Sequence, residues 1–163
     1  MLMTILVNTL VVIAAVVVME LVANLTHRYV MHGIGWGWHR SHHEPSSGRW
    51  EKNDLYALVF AGISILLFWL DAYRYGVLWW VAVGMTLYGV LYSVFHDGLV
   101  HRRYPVCLPV RWRYLERLTE AHRIHHASRE RDGAVSFGFL YAARPDRLAL
   151  ELRTRRLAKR GRQ

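Results

Sequence analysis

The chain has 163 residues, 53% of them hydrophobic and 13% aromatic, which favours a single unit embedded in a bilayer over a water-soluble core. Cys107 is the only cysteine, so the chain alone offers no intrachain disulfide, cysteine-ligated zinc site or iron–sulfur cluster. The net charge of +9 is compatible with nucleic acid, anionic lipid or an acidic protein as partner. The positions of the charges must therefore decide among these.

Three apolar segments follow one another in the N-terminal part of the chain, and we interpret them as membrane spans over residues 2–25, 55–70 and 77–95. As a helix the first would be about 36 Å long, enough to cross a hydrocarbon core of about 30 Å. A cleaved signal peptide is disfavoured here, since the run lacks a basic leading segment and an A-x-A site. The second segment is short for a full span. Only the polar residues 71–76 separate it from the third, which predicts a tight helical hairpin.

The basic residues are distributed unevenly about these segments. Of the 21 Lys and Arg residues, four lie between the first and second spans, one lies in the hairpin turn, and sixteen follow His101. Four plus sixteen places twenty on one side of a three-span topology, and the positive-inside rule makes that side cytoplasmic. This explains the basic excess without nucleic acid, and predicts a multi-pass membrane protein.

The predicted fold is an all-α integral membrane bundle of about three transmembrane helices with a cytoplasmic, histidine-rich metal-binding cap. We expect one domain, residues 1–163, with the cap formed by residues 27–53 and 96–145. Within it, the apolar segment 134–141 could dip into the membrane interface, line a pocket, or form a buried loop or short helix. The basic tail, residues 146–163, suits either a surface-lying segment near anionic headgroups or a disordered end.

All ten histidines fall into four clusters, and none is left over. One His-x4-His pair and one His-Arg-x-His-His triplet follow the first span, and the same two motifs follow the third. The members are His27, His32, His39, His42, His43, His96, His101, His122, His125 and His126. A lone histidine is more often a surface or hydrogen-bonded side chain, but four clusters at one membrane face favour metal ligands.

The spacings suit converging ligands. Residues at i, i+3 and i+4 lie within an arc of about 100° on a helix, so His39, His42 and His43 are expected to converge, as are their counterparts in the second triplet. Residues at i and i+5 are about 140° apart, so we predict distorted or terminating helix at both His-x4-His pairs. Gly98 and the glycines that follow His32 are consistent with such a distortion.

Ten imidazoles exceed the roughly four to six ligands of one ion and fit two. The repeated order of the clusters indicates two halves of a bimetal centre, one from each copy. Imidazole suits iron, zinc, copper and nickel alike, so the ligand type leaves the metal open. A zinc hydrolase usually needs only three protein ligands, which makes oxygen activation by paired iron the better match.

Polar residues near the clusters are candidates to orient ligands or to line a substrate path. Glu20, Asn24 and His27 form one helical stripe, so Glu20 and Asn24 could hold a ligand in place, or Glu20 could be protonated within interhelical hydrogen bonds. Three acidic residues could accept imidazole N–H groups or be solvated charges: Glu44, Asp97 and Glu120. Tyr88 and Tyr92 could line a channel for a long apolar substrate or form an ordinary core stripe.

These motifs resemble those of the bacterial β-carotene hydroxylases in the fatty-acid-hydroxylase superfamily. The similarity covers about residues 5–145 and rests on segments 27–33, 35–45, 53–56, 95–101, 121–126 and 135–141. They include Phe95-His-Asp-Gly-Leu-Val-His101 and Ala121-His-Arg-Ile-His-His126. At Ala143-Arg144-Pro145 the chain departs from the family's usual pair of prolines, so the resemblance does not extend to the C-terminal end.

The resemblance implies O2-dependent hydroxylation of carbon 3 on each β-ionone ring, converting β-carotene through β-cryptoxanthin to zeaxanthin. It implies a di-iron monooxygenase in which the ten histidines bind two iron ions and a ferredoxin with its NAD(P)H-dependent reductase supplies electrons. The chain has no recognisable flavin, nicotinamide or iron–sulfur motif, so electrons are expected from outside, and its basic face would suit an acidic ferredoxin. No catalytic side chain is expected beyond the metal centre.

Enzymes with similar centres are the main alternatives: a carotenoid ketolase, a sterol or fatty-acid hydroxylase, or a desaturase. The x4 spacing of both pairs and the short chain favour carotenoid hydroxylation. A non-enzymatic metal-handling membrane protein is a further alternative, although transport would need ligands near mid-membrane rather than at one face. The residues indicate no particular oligomeric state.

Overall fold

The computed structural model describes residues 1–44, 50–105 and 112–161, and every regular element in these ranges is helical. Six α-helices and two π-helical segments, which we label π1 and π2, follow one another along the chain. They are α1 Leu2–Leu25, π1 Thr26–Ile34, α2 Trp36–His43, α3 Asp54–Leu70, α4 Val77–Tyr92, π2 Ser93–Val100, α5 Arg113–His126 and α6 Pro145–Arg160. The predicted all-α fold is confirmed.

Two continuous helical stretches are long and apolar enough to cross a membrane. They are Leu2–Ile34, which joins α1 to π1, and Val77–Val100, which joins α4 to π2. Leucine and valine side chains such as Leu10, Val17 and Leu21 project outward from α1, as expected of a surface that faces lipid. Helix α3 is apolar but has only 17 residues, so the third predicted span stays a prediction.

The parallel packing of α1 against α4 forms the frame of the bundle. Ala15 on α1 lies against Gly84 on α4, and five residues further along α1 Glu20 accepts a hydrogen bond from Tyr88 at 2.9 Å. Contacts that advance in the same direction along both helices mean that the helices run parallel. The ends that lead into π1 and π2 therefore lie at the same end of the bundle.

Helix α3 runs back along α4 as the predicted hairpin. The Ser64 hydroxyl donates to the Ala82 carbonyl at 3.0 Å, and in the turn the Asp71 carboxylate accepts the N–H of Trp79 at 3.1 Å. Since α3 and α4 are antiparallel, the first turn of α3 returns to the end that carries the histidines. There the Tyr56 hydroxyl donates to the Gly35 carbonyl at 2.9 Å, which ties α3 to the junction of π1 and α2.

The C-terminal part forms a second small core around α5 and α6. Leu148 and Leu152 of α6 pack with Leu118 of α5 and with Val135 in the loop between the two helices. The predicted basic tail is thus an ordered helix as far as Arg160, held by burial of Leu148 and Leu152. Arg155 secures it further by donating to the Ala134 carbonyl at 2.7 Å.

Gly84 allows the close approach of α1 and α4, which generates a test of the frame. A Cβ added there would lie 2.5 Å from the Ala15 Cβ and 2.8 Å from the backbone oxygen of Val12. We expect Gly84→Ala to separate the helices and lower the unfolding temperature, since such overpacking costs about 1–3 kcal/mol. Thermal unfolding in detergent, followed by circular dichroism, measures this.

The matched control is Gly62→Ala on α3, where an added Cβ meets no atom within 4 Å. That change should leave stability unchanged or raise it slightly, because alanine favours helix by up to about 1 kcal/mol over glycine. Equal unfolding temperatures for the two variants would contradict the proposed role of the Gly84 contact.

Candidate metal centre

Both His-x4-His pairs occur where an α-helix widens into a π-helix. His27 and His32 lie in π1, and His96 lies in π2 with His101 as the residue that ends it. The His101 N–H donates to the His96 carbonyl at 2.9 Å, a bond between residues i and i+5. Such π-type bonding brings residues five apart onto one face, which an α-helix does not do. The predicted distortion is confirmed, and its physical form is an extra residue per turn.

The imidazoles converge into two groups that lie side by side. The first histidine group consists of His27, His32, His39, His43 and His125, and the second consists of His42, His101, His122 and His126. In each group the potential ligand nitrogens all lie within 4.8 Å of one another. The tenth histidine, His96, adjoins the second group, with its Nε2 atom 3.1 Å from that of His42. The structure thus brings all ten predicted residues together.

Each His-Arg-x-His-His triplet is divided between the two groups. His39 and His43 belong to the first group while His42 between them belongs to the second; His122 and His126 belong to the second while His125 belongs to the first. Successive residues on an α-helix point about 100° apart, so adjacent histidines face different neighbours. The expectation that each copy of the repeat supplies one half of the centre was therefore wrong. The copies exchange one histidine.

The Nδ1 atoms of the buried rings are held by oxygen acceptors. Seven rings have such a partner at 2.7–3.0 Å: His27 with Phe137 O, His32 with Arg131 O, His39 with Asn53 Oδ1, His42 with Glu51 Oε2, His43 with Ser128 O, His96 with Asp97 Oδ1 and His125 with Val135 O. An oxygen acceptor requires that Nδ1 carry the proton. In a neutral ring the Nε2 atom is then an unprotonated lone pair, ready to bind a metal.

The facing Nε2 atoms fit a bound cation. His27 and His39 have Nε2 atoms 3.0 Å apart, and those of His39 and His43 are 3.1 Å apart. Since the proton of each ring is at Nδ1, each close pair of Nε2 atoms brings two lone pairs together with no hydrogen between them. Two nitrogens bound at about 2.1 Å and at right angles around one ion would be about 3.0 Å apart. A metal ion is therefore what this donor set is arranged to accept.

Burial keeps the rings in the neutral form that metal binding requires. It lowers the pKa of His39 to about 3 and that of His43 to about 4. Burial, reinforced by nearby histidines, lowers the pKa of His101 to about 3 and that of His126 to about 2. These four side chains are therefore uncharged at neutral pH and need no deprotonation before an ion binds.

The acidic residues predicted to hold histidines are placed differently from one another. Asp97 accepts the Nδ1–H of His96 at 2.8 Å. Glu44 and Glu120 instead form ion pairs with Arg40 at 2.7 Å and Arg123 at 2.8 Å, on exposed helix surfaces. Sequence reasoning missed Glu51 and Asn53, which hold His42 and His39. Asn53 begins segment 53–56, one of the segments that carry the family resemblance, which could have indicated it. Glu51 had only its position between the histidine triplet and the second apolar segment as a signal.

Glu20 holds the loop that carries two of the backbone acceptors. Its Oε1 atom accepts the N–H groups of Phe139 and Tyr141, and its Oε2 atom accepts the N–H of Leu140, all at 3.0 Å. The same loop supplies the carbonyls that bond to His27 and His125. Glu20 thus reaches the first histidine group through the backbone rather than by touching a ring. Asn24 also lies at this loop, with its Nδ2 atom 3.3 Å from where a Cβ on Gly138 would be.

An apolar cavity of about 580 Å³ lies between α1, α3 and α4. Its walls include Met19, Phe60, Phe68, Met85, Tyr88, Tyr92 and Phe139, and at one end it reaches Asn53 and Asp97. Phe139 stacks on His27 with ring centroids 5.2 Å apart, and Tyr92 stacks on His96 at 4.5 Å. Both predicted channel tyrosines therefore line the cavity, and aromatic rings separate it from the histidines. Segment 134–141 is a loop, partly buried, that contributes Phe139 to this wall.

An all-helical protein with apolar helices of spanning length and two converging histidine groups belongs to the class of membrane-associated histidine metalloproteins. The fatty acid hydroxylase family model matches residues 12–149. The β-carotene hydroxylase of Pantoea ananas is 53% identical over 94% of this chain and 88% of its own length. That of Pseudescherichia vulneris is 53% identical over 92% and 85%, respectively.

The chain therefore belongs to the fatty acid hydroxylase family, among its β-carotene hydroxylases. A plant relative, the chloroplastic β-carotene 3-hydroxylase 1 of Arabidopsis thaliana, is 36% identical over 72% of this chain and 39% of its own length. No solved structure matches the chain. The family match confirms the predicted enzyme class, a hydroxylating oxidoreductase, as the structure confirms the predicted all-α fold.

The bonding of Glu20 generates a test of its role as a positioning residue. In Glu20→Gln an NH2 group replaces one acceptor oxygen and faces a backbone N–H, which costs about 1–3 kcal/mol for the unsatisfied donor. We expect the loop to loosen, His27 and His125 to lose their fixed orientation, and the purified protein to retain less bound metal by elemental analysis.

Thr9→Val is the control on the same helix, because the Thr9 hydroxyl bonds only locally in the helix, to the Ile5 carbonyl. It should keep its full metal content. Glu20→Gln protein with unchanged metal content and unchanged unfolding temperature would show that the loop does not depend on this carboxylate.

Proposed function

We propose that this protein is a β-carotene 3-hydroxylase, which hydroxylates carbon 3 of each β-ionone ring to give β-cryptoxanthin and then zeaxanthin. The observation that carries the proposal is an apolar cavity whose aromatic wall residues Phe139 and Tyr92 stack on His27 and His96, so that only one layer of rings lies between the cavity and the histidines. A hydrocarbon substrate needs an apolar site, and its unactivated C–H bond needs a strong oxidant held close by. The names of the relatives support carotene as that hydrocarbon.

The proposed metal centre contains two iron ions, one bound by each histidine group. Iron bound there would supply the activation of O2 that lets one oxygen atom enter a C–H bond. The overall reaction consumes the substrate, one O2, two electrons and two protons, and yields the alcohol and one water. Since the electrons and protons come from outside the chain, the protein's own contribution is ligation, substrate positioning and exclusion of water.

The cavity residues would position the ring to be hydroxylated. Met19, Phe60 and Met85 provide an apolar wall for the polyene, and Tyr88 is fixed by its hydrogen bond to Glu20. Tyr92 and Phe139 lie over His96 and His27, so the leading ring of the substrate would meet them last. Because the cavity opens among helices that carry outward-facing apolar side chains, a carotenoid could enter from the bilayer without crossing water.

Expression in cells that accumulate β-carotene, followed by pigment chromatography, tests the activity. We expect zeaxanthin with β-cryptoxanthin as intermediate, and a loss of at least about 100-fold for His125→Ala, because removing a ligand abolishes a preorganised metal site. The Tyr73→Phe variant is the control, since that side chain is 98% exposed in the hairpin turn. Immunoblots equalise protein amounts.

Ketolated or desaturated pigments from the same cells would instead identify a related oxygenase. Zeaxanthin formation that survives His125→Ala would contradict the metal-dependent mechanism.

We propose further that the histidine end of the bundle faces the cytoplasm of a bacterial inner membrane and receives electrons from a ferredoxin and its NAD(P)H-dependent reductase. Arginines in the part of the chain that follows the second long apolar stretch are exposed, among them Arg113, Arg129 and Arg153. A basic surface would attract an acidic donor protein and speed its association, an effect that salt weakens. The same charge bias supports the orientation.

One experiment with inverted and right-side-out membrane vesicles tests both the orientation and the docking of the electron donor. With ferredoxin, reductase and NAD(P)H added outside, inverted vesicles should form zeaxanthin and sealed right-side-out vesicles should not. Raising the salt from 50 to 300 mM should lower the rate several-fold at sub-saturating ferredoxin. Equal rates in both vesicle types would contradict the orientation, and rates indifferent to salt would contradict docking by charge.

A further inference from the structure

The two histidine groups differ in the charge of the atoms that hold them. Every ring of the first group donates its Nδ1–H to a neutral oxygen. These acceptors are the carbonyls of Phe137, Arg131, Ser128 and Val135 and the side-chain amide of Asn53. In contrast, His42 of the second group donates to the Glu51 carboxylate at 2.9 Å, and the adjoining His96 donates to the Asp97 carboxylate at 2.8 Å.

The carboxylates beside the second group belong to a fixed network. Arg103 donates to both oxygens of Asp54 at 2.7 Å and lies 3.7 Å from Asp97. Asp54 also accepts the backbone N–H of Glu51 at 3.0 Å. Among the residues that the structure describes, three carboxylates against one guanidinium leave a formal charge of −2 in this network. The Glu51 and Asp97 side chains are only 13% and 18% exposed, so solvent screens their charges weakly.

A carboxylate that accepts the Nδ1–H of an imidazole draws the proton toward itself and makes Nε2 a stronger electron-pair donor. Its negative charge also attracts the cation bound at Nε2, an attraction that grows as the separation and the local dielectric constant fall. A carbonyl or amide oxygen exerts both effects more weakly. The Glu20 carboxylate near the first group does not offset the difference, because it bonds to backbone N–H groups and to Tyr88 rather than to a ring.

We infer that the two metal positions are inequivalent, and that the position of the second histidine group binds its ion more tightly and fills first. This inference rests on the proposed two-ion centre. Glu51 and Asp97 are then positioning residues that act through His42 and His96, and their charge, not only their hydrogen bonds, sets the order of loading.

Anaerobic titration of the purified, metal-free full-length protein with ferrous iron tests the inference. We expect two binding steps whose dissociation constants differ at least tenfold, with His32→Ala removing the weaker step. Glu51→Gln keeps an oxygen acceptor for His42 but removes the charge, so it should weaken the tighter step about 10- to 100-fold and leave the other unchanged.

Asn53→Asp is the reciprocal variant, because it places a carboxylate on His39 of the first group. It should strengthen the weaker step and bring the two constants together. If Glu51→Gln does not fold, the titration of Asn53→Asp alone tests the inference. Glu151→Gln is the control: it removes a carboxylate that pairs with Arg155 at the surface, so neither step should change.

Two equal steps in the unmodified protein, or a Glu51→Gln effect confined to the weaker step, would overturn this inference alone. Binding of fewer than two ions would overturn it together with the two-ion centre. Neither result depends on turnover, so zeaxanthin formation in cells tests the proposed function separately.

Discussion

The structure depends on imidazole nitrogens whose lone pairs face one another inside the protein. Imidazoles at the end of the bundle donate hydrogen bonds from Nδ1–H to oxygen acceptors. Their Nε2 atoms, which then carry no hydrogen, face one another at about 3 Å. Burying so many polar atoms is unfavourable unless each has a partner. A bound cation provides that partner for several rings at once. Metal binding and folding of the histidine end are therefore coupled.

The remaining elements can be understood as supports for that arrangement. The parallel pair α1 and α4 delivers two π-helical segments to the same end of the bundle, and the return of α3 brings Asn53 close enough to bond to His39. Glu20 lies in the apolar part of α1, yet it bonds to the loop whose carbonyls orient two ligands. The cavity uses the same helices as walls, and the rings of Phe139 and Tyr92 lie between it and the histidines.

Much of this could be predicted from the sequence, for identifiable physical reasons. The bounds of α1 follow from one long, predominantly apolar run, and the distortion at His27 and His32 follows from a spacing that an α-helix cannot bring to one face. The exchange of His42 and His125 between groups could not be predicted, because it depends on where the second triplet lies relative to the first. Backbone acceptors such as Phe137 O carry no side-chain signature, and α6 is held by tertiary burial of Leu148 and Leu152 rather than by its own apolar pattern.

The exchanged histidines also bear on how the protein is made. Residues 27–43 supply four members of the first group, but the fifth, His125, lies in α5, and His42 belongs to a group whose other members all follow residue 100. Neither group is complete in a nascent chain until α5 has been synthesised and has packed against the earlier helices. An ion captured by the N-terminal half alone would lack a ligand that the finished protein provides. Because of this exchange, the centre can be completed only when both halves of the chain are in place.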